Sequence, residues 1–293
     1  MKQVLQIASL VALAAFPLVP TSSASAQEAV PFPKASPPAM VRDQFGLTTV
    51  EIEYARPGVK GRKVFGDLIA YGELWRTGAD KATKITFSTD VEFGGKPVAA
   101  GSYGLFTIPG ETEWAVILHK NTEQWGTYNY DEKQEAVRVK VKPTTLRAPV
   151  ETFRIGLDHI RGDSAHLTLT WDTTHVAVPL KVDIVKQLQP RIEAAMAADG
   201  DQKPFLQAAM FYYEHDLDLI KARDWINEAE AQNPEAMWVT YRKGLILAKM
   251  GDNEGAMEAA QRAADMAAKA GGALGSEYGR LATSLMARLK QRS

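Results

Sequence analysis

The sequence predicts a chain in two parts, an antiparallel β-sandwich or jelly-roll domain over residues 39–183 followed by an all-α domain over residues 184–293. Three observations carry this. Between residues 48 and 182 apolar side chains recur at every second position, the signature of half-buried strands. After residue 184 the apolar spacing becomes helical, with much Ala, Leu, Met, Glu and Lys and few β-branched residues. Turn-forming pairs such as Gly94-Gly95, Pro109-Gly110 and Gly162-Asp163 separate the first set of runs.

The elements follow in order. Residues 1–26 read as a secretory signal peptide: Lys2 supplies the positive start, residues 4–19 are apolar, and Ala24-Ser25-Ala26 is a small-x-small cleavage site. Pro17 and Pro20 break that run, and it falls short of the ~20 residues a membrane span needs. The expectation is an exported chain, periplasmic or extracellular, with no membrane span. Residues 27–38 (QEAVPFPKASPP) form a proline-rich, flexible or extended lead-in. Strands are then expected where Val50, Ile52 and Tyr54 alternate with polar neighbours, and likewise at Val137, Val139 and Val141 and at Phe153, Ile155 and Leu157. The same pattern marks Leu167, Leu169 and Trp171, then Val176, Val178, Leu180 and Val182, with further strands at 83–88, 90–93, 103–108 and 114–119. Helices are expected at 185–198, 203–215, 217–232, 235–250, 253–269 and 275–290, separated by Gly200, Asn233-Pro234, Gly251 and Gly271-Gly272.

Composition removes several classes of function. There is no cysteine, so disulfides, thiolate catalysis and cysteine-ligated zinc are excluded. Lys and Arg number 34 against 35 Asp and Glu. Removing residues 1–26 takes away Lys2 alone, leaving 33 against 35, a net charge of about −2. That balance gives no support to nucleic acid or an anionic membrane as partner.

The helical part carries a weak repeat of 34 residues: Ala222 and Ala229 recur as Ala256 and Ala263, and Tyr213 matches Leu247. Together with Leu206, Ala209, Ile226 and Pro234, these positions resemble tetratricopeptide repeats, in which small residues let paired helices approach closely. A plain helical bundle is the competing reading. The first helices are expected to pack on the sandwich, and the array to offer a groove to a protein partner.

The densest candidate site is the block at 55–80, ARPGVKGRKVFGDLIAYGELWRTGAD. It places Arg56, Arg62 and Arg76 among aromatics that include Phe65 and Trp75. Arginine forks suit carboxylate or phosphate oxygens, and flat aromatic faces suit sugars. The plainer reading pairs those arginines with Asp67, Glu73 and Asp80 and makes Trp75 and Phe65 anchors of a long loop. A second candidate is the loop at 124–131, QWGTYNYD, in which Trp125 and Tyr128 form a stacking platform or else pack the loop.

The motifs GRKVFG, WRTGA, AGSYGLFTIPG and WG-x-YNYD stand in that order between residues 61 and 131. The chain from about residue 35 to 182 closely resembles an uncharacterised family of exported bacterial proteins, the domain of unknown function 2911. The resemblance implies an all-β domain and no assigned activity. Where members usually read WRTGAN, this chain has Asp80.

Other chemistry finds little support. The five histidines show no metal-ligand spacing, although His159 and His166 with Asp158 and Asp163 could gather at one hairpin. No serine sits in a GxSxG elbow, no phosphate loop is present, and no cofactor is implied. The reading that results is a non-catalytic binding protein. Arg56, Arg62, Trp75 and Arg76, with Trp125 and Tyr128, would face a glycan or acidic small ligand, and residues 184–293 would dock a protein. The alternatives are a hydrolase using Glu73 or Asp80 as acid or base, and a structural envelope protein with no small ligand.

Overall fold

The computed structural model describes residues 32–200 and 202–291; the signal-peptide reading falls outside them. Among the described residues, ten strands make two antiparallel sheets. One contains, in spatial order, β1 (Pro38–Phe45), β2 (Thr48–Ala55), β3 (Thr83–Phe87), β6 (Gly101–Ile108), β7 (Trp114–His119) and β8 (Glu135–Val141). The other runs β5 (Lys96–Val98), β4 (Val91–Phe93), β10 (Ser164–Lys181) and β9 (Thr144–Arg161). The alternating apolar residues point inward as their period requires. Val50, Ile52, Val139, Phe153, Ile155, Leu167, Leu169 and Val178 belong to one buried cluster between the sheets. At Gly94-Gly95 both φ angles are positive (56° and 80°), and the pair forms the tight turn joining β4 to β5.

Two runs expected as separate strands are one. Leu167, Leu169 and Trp171 occupy odd positions and Val176, Val178 and Leu180 even ones, yet all face the same core. The switch of parity occurs at Asp172, where φ is 51° and the register against β9 is irregular on both sides. An extra residue there returns the side chains to the core face without ending the strand. β1 is an edge strand and β5 a three-residue one; neither shows an apolar alternation strong enough to single it out.

Among the described residues six helices follow: α1 (Ile184–Ala197), α2 (Phe205–Glu214), α3 (Leu219–Gln232), α4 (Met237–Met250), α5 (Asn253–Ala270) and α6 (Gly272–Lys290). Consecutive helices from α2 to α6 contact each other, and α2 touches α4 as α4 touches α6, the pattern of stacked helix pairs. The 34-residue offset holds in detail. Asp218 caps α3 and Asp252 caps α5, each accepting backbone N–H groups of the first turn. Ala222 and Ala256, and Ala229 and Ala263, are buried alike, as are Tyr212 and Ile246. α1 is placed differently from expectation. It meets the sandwich through Gln187, whose Nε2 donates to Thr89 Oγ1, but its Ile192 packs on the helical core and its Glu193 accepts from Tyr212. No helix among the described residues is long and apolar enough to cross a membrane.

Candidate functional site

The connection from β2 to β3, which contains the 55–80 block, is tied to both sheets. Gly58 bridges to Thr152 of β9, and Val59 N–H and Pro57 C=O bond to Glu151 and Phe153 of the same strand. Further along, Trp75 and Thr107 of β6 exchange two backbone hydrogen bonds of 2.7 and 2.9 Å. Lys81 then bridges to Trp125 in the 124–131 loop. A long connection fixed at three points presents its side chains in set positions, the condition for a preorganised site.

Trp75 is core and floor at once. It is 5 % exposed, its indole N–H donates to Gly78 C=O, and its ring stacks on Trp171 at 5.8 Å and 21°. Phe153 and Phe65 pack against it at 5.1 and 5.9 Å. Trp75 and Trp171 also line a cavity of about 380 Å³, whose wall includes Lys60, Arg62 and Arg76. A second cavity, of about 350 Å³, adjoins it through Ala35, Gly58 and Lys60 and contains Arg56, Glu151 and Arg154. The 35–37 stretch of the lead-in is held against this region, with Lys60 Nζ donating to Ala35 C=O and Arg56 N–H to Pro37 C=O.

The arginines do not pair as the plainer reading required. Arg56, Arg62 and Arg76 form no ion pair with Asp67, Glu73 or Asp80 among the described residues. Arg62 is spent on the loop itself, donating to Val59 and Gly58 carbonyls. Arg56 and Arg76 differ: the Nε of each is buried and meets no acceptor among the described residues. An unpaired buried donor costs about 1–3 kcal/mol, more when charged. Arg76 lines the cavity walled by Trp75 and Trp171 and Arg56 the adjoining one, an arrangement suited to an anionic acceptor supplied from outside.

Trp125 and Tyr128 stand apart from this cleft. Both are exposed, at 59 % and 85 %, while the loop that carries them is anchored at its ends. His119, wholly buried, accepts the Asn121 N–H at Nδ1, so its proton lies on Nε2, which donates to Asp131 C=O at 3.0 Å. Gln124 Nε2 donates to the same Nδ1 at 2.9 Å. Tyr130 donates to Glu135, which also holds Arg138 through both of its oxygens. Burial by itself would raise the Glu135 carboxyl, but hydrogen bonds from Arg138 and Tyr130 hold it below its ordinary value. The same burial, with Glu135 alongside, pushes the Tyr130 phenol well up. Sequence reasoning missed this support. His119 has no motif around it, and its role arises only when β7 meets the loop.

Trp125 lines a third cavity of about 540 Å³ with Asp80, and this cavity meets the arginine cleft at Ser36 and Ala79. Tyr128 and Glu73 line none of the three. Asp80 has φ 61°, a left-handed conformation that Asn and Asp adopt more readily than other side chains. The exchange of Asn for Asp at this position therefore meets one backbone requirement. His159 and His166 come within 5.2 Å, but no group of three or more metal-ligating side chains exists among the described residues.

Fold and site together define a protein with a two-sheet antiparallel β domain, one flank covered by a basic, tryptophan-floored connection, followed by a helical array. Residues 36–180 match the family model described as "Protein of unknown function (DUF2911)", and the chain belongs to that family through its β domain. Comparisons with curated proteins and with solved structures give no significant match.

Proposed function

We propose that this is an exported binding protein whose β domain takes an anionic small molecule, a sugar acid, in the cleft over Trp75 and Trp171. The observation that supports this reading is that Arg56 and Arg76, neither held by a carboxylate and each with a buried Nε that meets no acceptor, line adjoining cavities. A carboxylate would pair with these guanidinium groups through charge-assisted hydrogen bonds. Around the two cavities Arg56, Lys60, Arg62, Arg76 and Arg154 stand against Glu151, five positive groups to one negative. The helical array would dock a protein partner on its stacked pairs.

The test is thermal unfolding of the full chain with glucuronate, galacturonate, glucose and inorganic phosphate. A ligand that binds the native state stabilises it by mass action, by about 2.7 kcal/mol at a hundred times its Kd, and so raises the melting temperature. The reading expects stabilisation by the sugar acids above that by glucose. Equal responses to acid and neutral sugar, or none to the acids, would overturn it.

A further inference from the structure

We infer that the ligand is a mixed oligosaccharide, with a uronic acid in the arginine cleft and a neutral sugar ring in the neighbouring cavity against Trp125. This rests on the anion-binding reading and extends it to the second site. The larger cavity, of about 540 Å³, and the arginine cleft share Ser36 and Ala79 as walls, so the two lie side by side.

The charges of the two ends differ. The cleft has a strong positive excess, whereas the larger cavity is balanced: Lys34, Lys81 and Lys84 stand against Glu53, Asp80 and Glu123. Lys84 and Glu53 pair with each other at 3.3 Å. A chain charged at every unit would set anionic groups beside those carboxylates. A neutral sugar presents hydroxyls instead, which donate to carboxylates and accept from ammonium groups.

The apolar lip of this cavity fits the same ligand. Met40 and Trp125 are both large, exposed apolar side chains, and both line it. Trp125 is not a loose side chain on a mobile tip. Its backbone bridges to Lys81, Gly126 N–H reaches Asp80 C=O, and the adjacent Gln124 is bonded to the buried His119. An aromatic on an anchored backbone loses less freedom when a ring stacks on it than one on a loose loop.

Titration calorimetry on the full chain tests this with four probes: glucuronate, cellobiose, a β-1,4-linked glucuronosyl-glucose disaccharide and trigalacturonate. The mixed disaccharide is expected to bind at least tenfold more tightly than glucuronate, and cellobiose more weakly than either. Trp125→Ala should bring the disaccharide back to the affinity of glucuronate and leave glucuronate unchanged. Tyr128→Ala, outside both cavities, should alter neither. Equal affinities for glucuronate and disaccharide, or a Trp125→Ala loss shared by both, would overturn the inference and leave the anion-binding cleft standing. Tighter binding of trigalacturonate than of the disaccharide would overturn it in favour of a uniformly charged chain. No binding by any acidic probe would remove the anion-binding reading as well.

Discussion

Trp75 and Trp171 stack with ring centroids 5.8 Å apart and planes 21° from parallel, joining the loop that carries the arginines to the long strand β10. Through this pair the cleft and the core share a wall. Substitutions at the cleft therefore divide into those that break the fold and those that remove chemistry from its surface.

Trp75→Ala is expected to cost about 3–5 kcal/mol, the range for truncating a buried large aromatic. Trp75→Phe keeps most of the packing and should cost less than half of that. Arg76→Ala removes no ion pair and relieves a buried donor that meets no acceptor, so it should not destabilise the fold. Urea unfolding of the three variants checks the order. A cost for Arg76→Ala as large as that for Trp75→Ala would mean the guanidinium is structural.

His119→Phe fills the same region but orphans the Asn121 N–H, while the Gln124 amide keeps Asn121 C=O and the Asp131 carbonyl keeps Gln134 N–H. The expected loss is about 1–3 kcal/mol, the range for a buried donor left unsatisfied. Hydrogen exchange should rise across residues 121–131 before it rises in the strands β6 and β7. Uniform acceleration through the sheet would contradict the anchoring role given to His119.

Much of this architecture is legible in the sequence. The inward residues of β2, β8, β9 and β10 follow from alternation, and Asp218 and Asp252 mark helix starts at the repeat spacing. Other features need the third dimension. The bulge at Asp172 hides the continuity of β10, because it reverses the parity on which strand recognition depends. Trp75 sits in a polar, glycine-rich segment where a ligand-facing and a loop-anchoring role both fit the sequence, and only the approach of Trp171 on β10 places it in the core. That the arginines form no ion pair with the carboxylates of their own block also needs the third dimension, since Asp67, Glu73 and Asp80 all lie within it and only their placement keeps them apart.

Glu230 joins three helices, accepting from Thr240 and pairing with Lys243 at 2.8 Å and Arg262 at 3.3 Å. Burial would raise its carboxyl, but hydrogen bonds from Lys243 and Thr240 and the nearby charges hold it below its ordinary value. A carboxyl lowered on folding contributes stability above its unfolded value of about 4.3 and loses it as the pH falls through the folded one. The helical signal at 222 nm should therefore weaken in acid below about pH 4.3, and Glu230→Gln should flatten that acid limb. At neutral pH the substitution should cost about 2–3 kcal/mol, less than for a fully buried pair because both cations reach solvent. An acid limb unchanged in the variant would exclude Glu230 as its source.

Asp80→Asn should leave thermal stability within about 0.5 kcal/mol, since both residues tolerate a positive φ. Asp80→Val should lower it by about 1–3 kcal/mol, because a β-branched side chain is strained there. Equal melting temperatures for the two variants would show that the conformation at residue 80 is not fixed.

The measurement closest to the central claim is titration of glucuronate into the wild-type chain and Arg76→Ala. The account predicts saturable binding that falls roughly 10- to 100-fold in the variant, the loss of about 1.5–3 kcal/mol of charge-assisted hydrogen bonding, in a protein whose melting temperature is unchanged. Binding of equal strength in both proteins would contradict it.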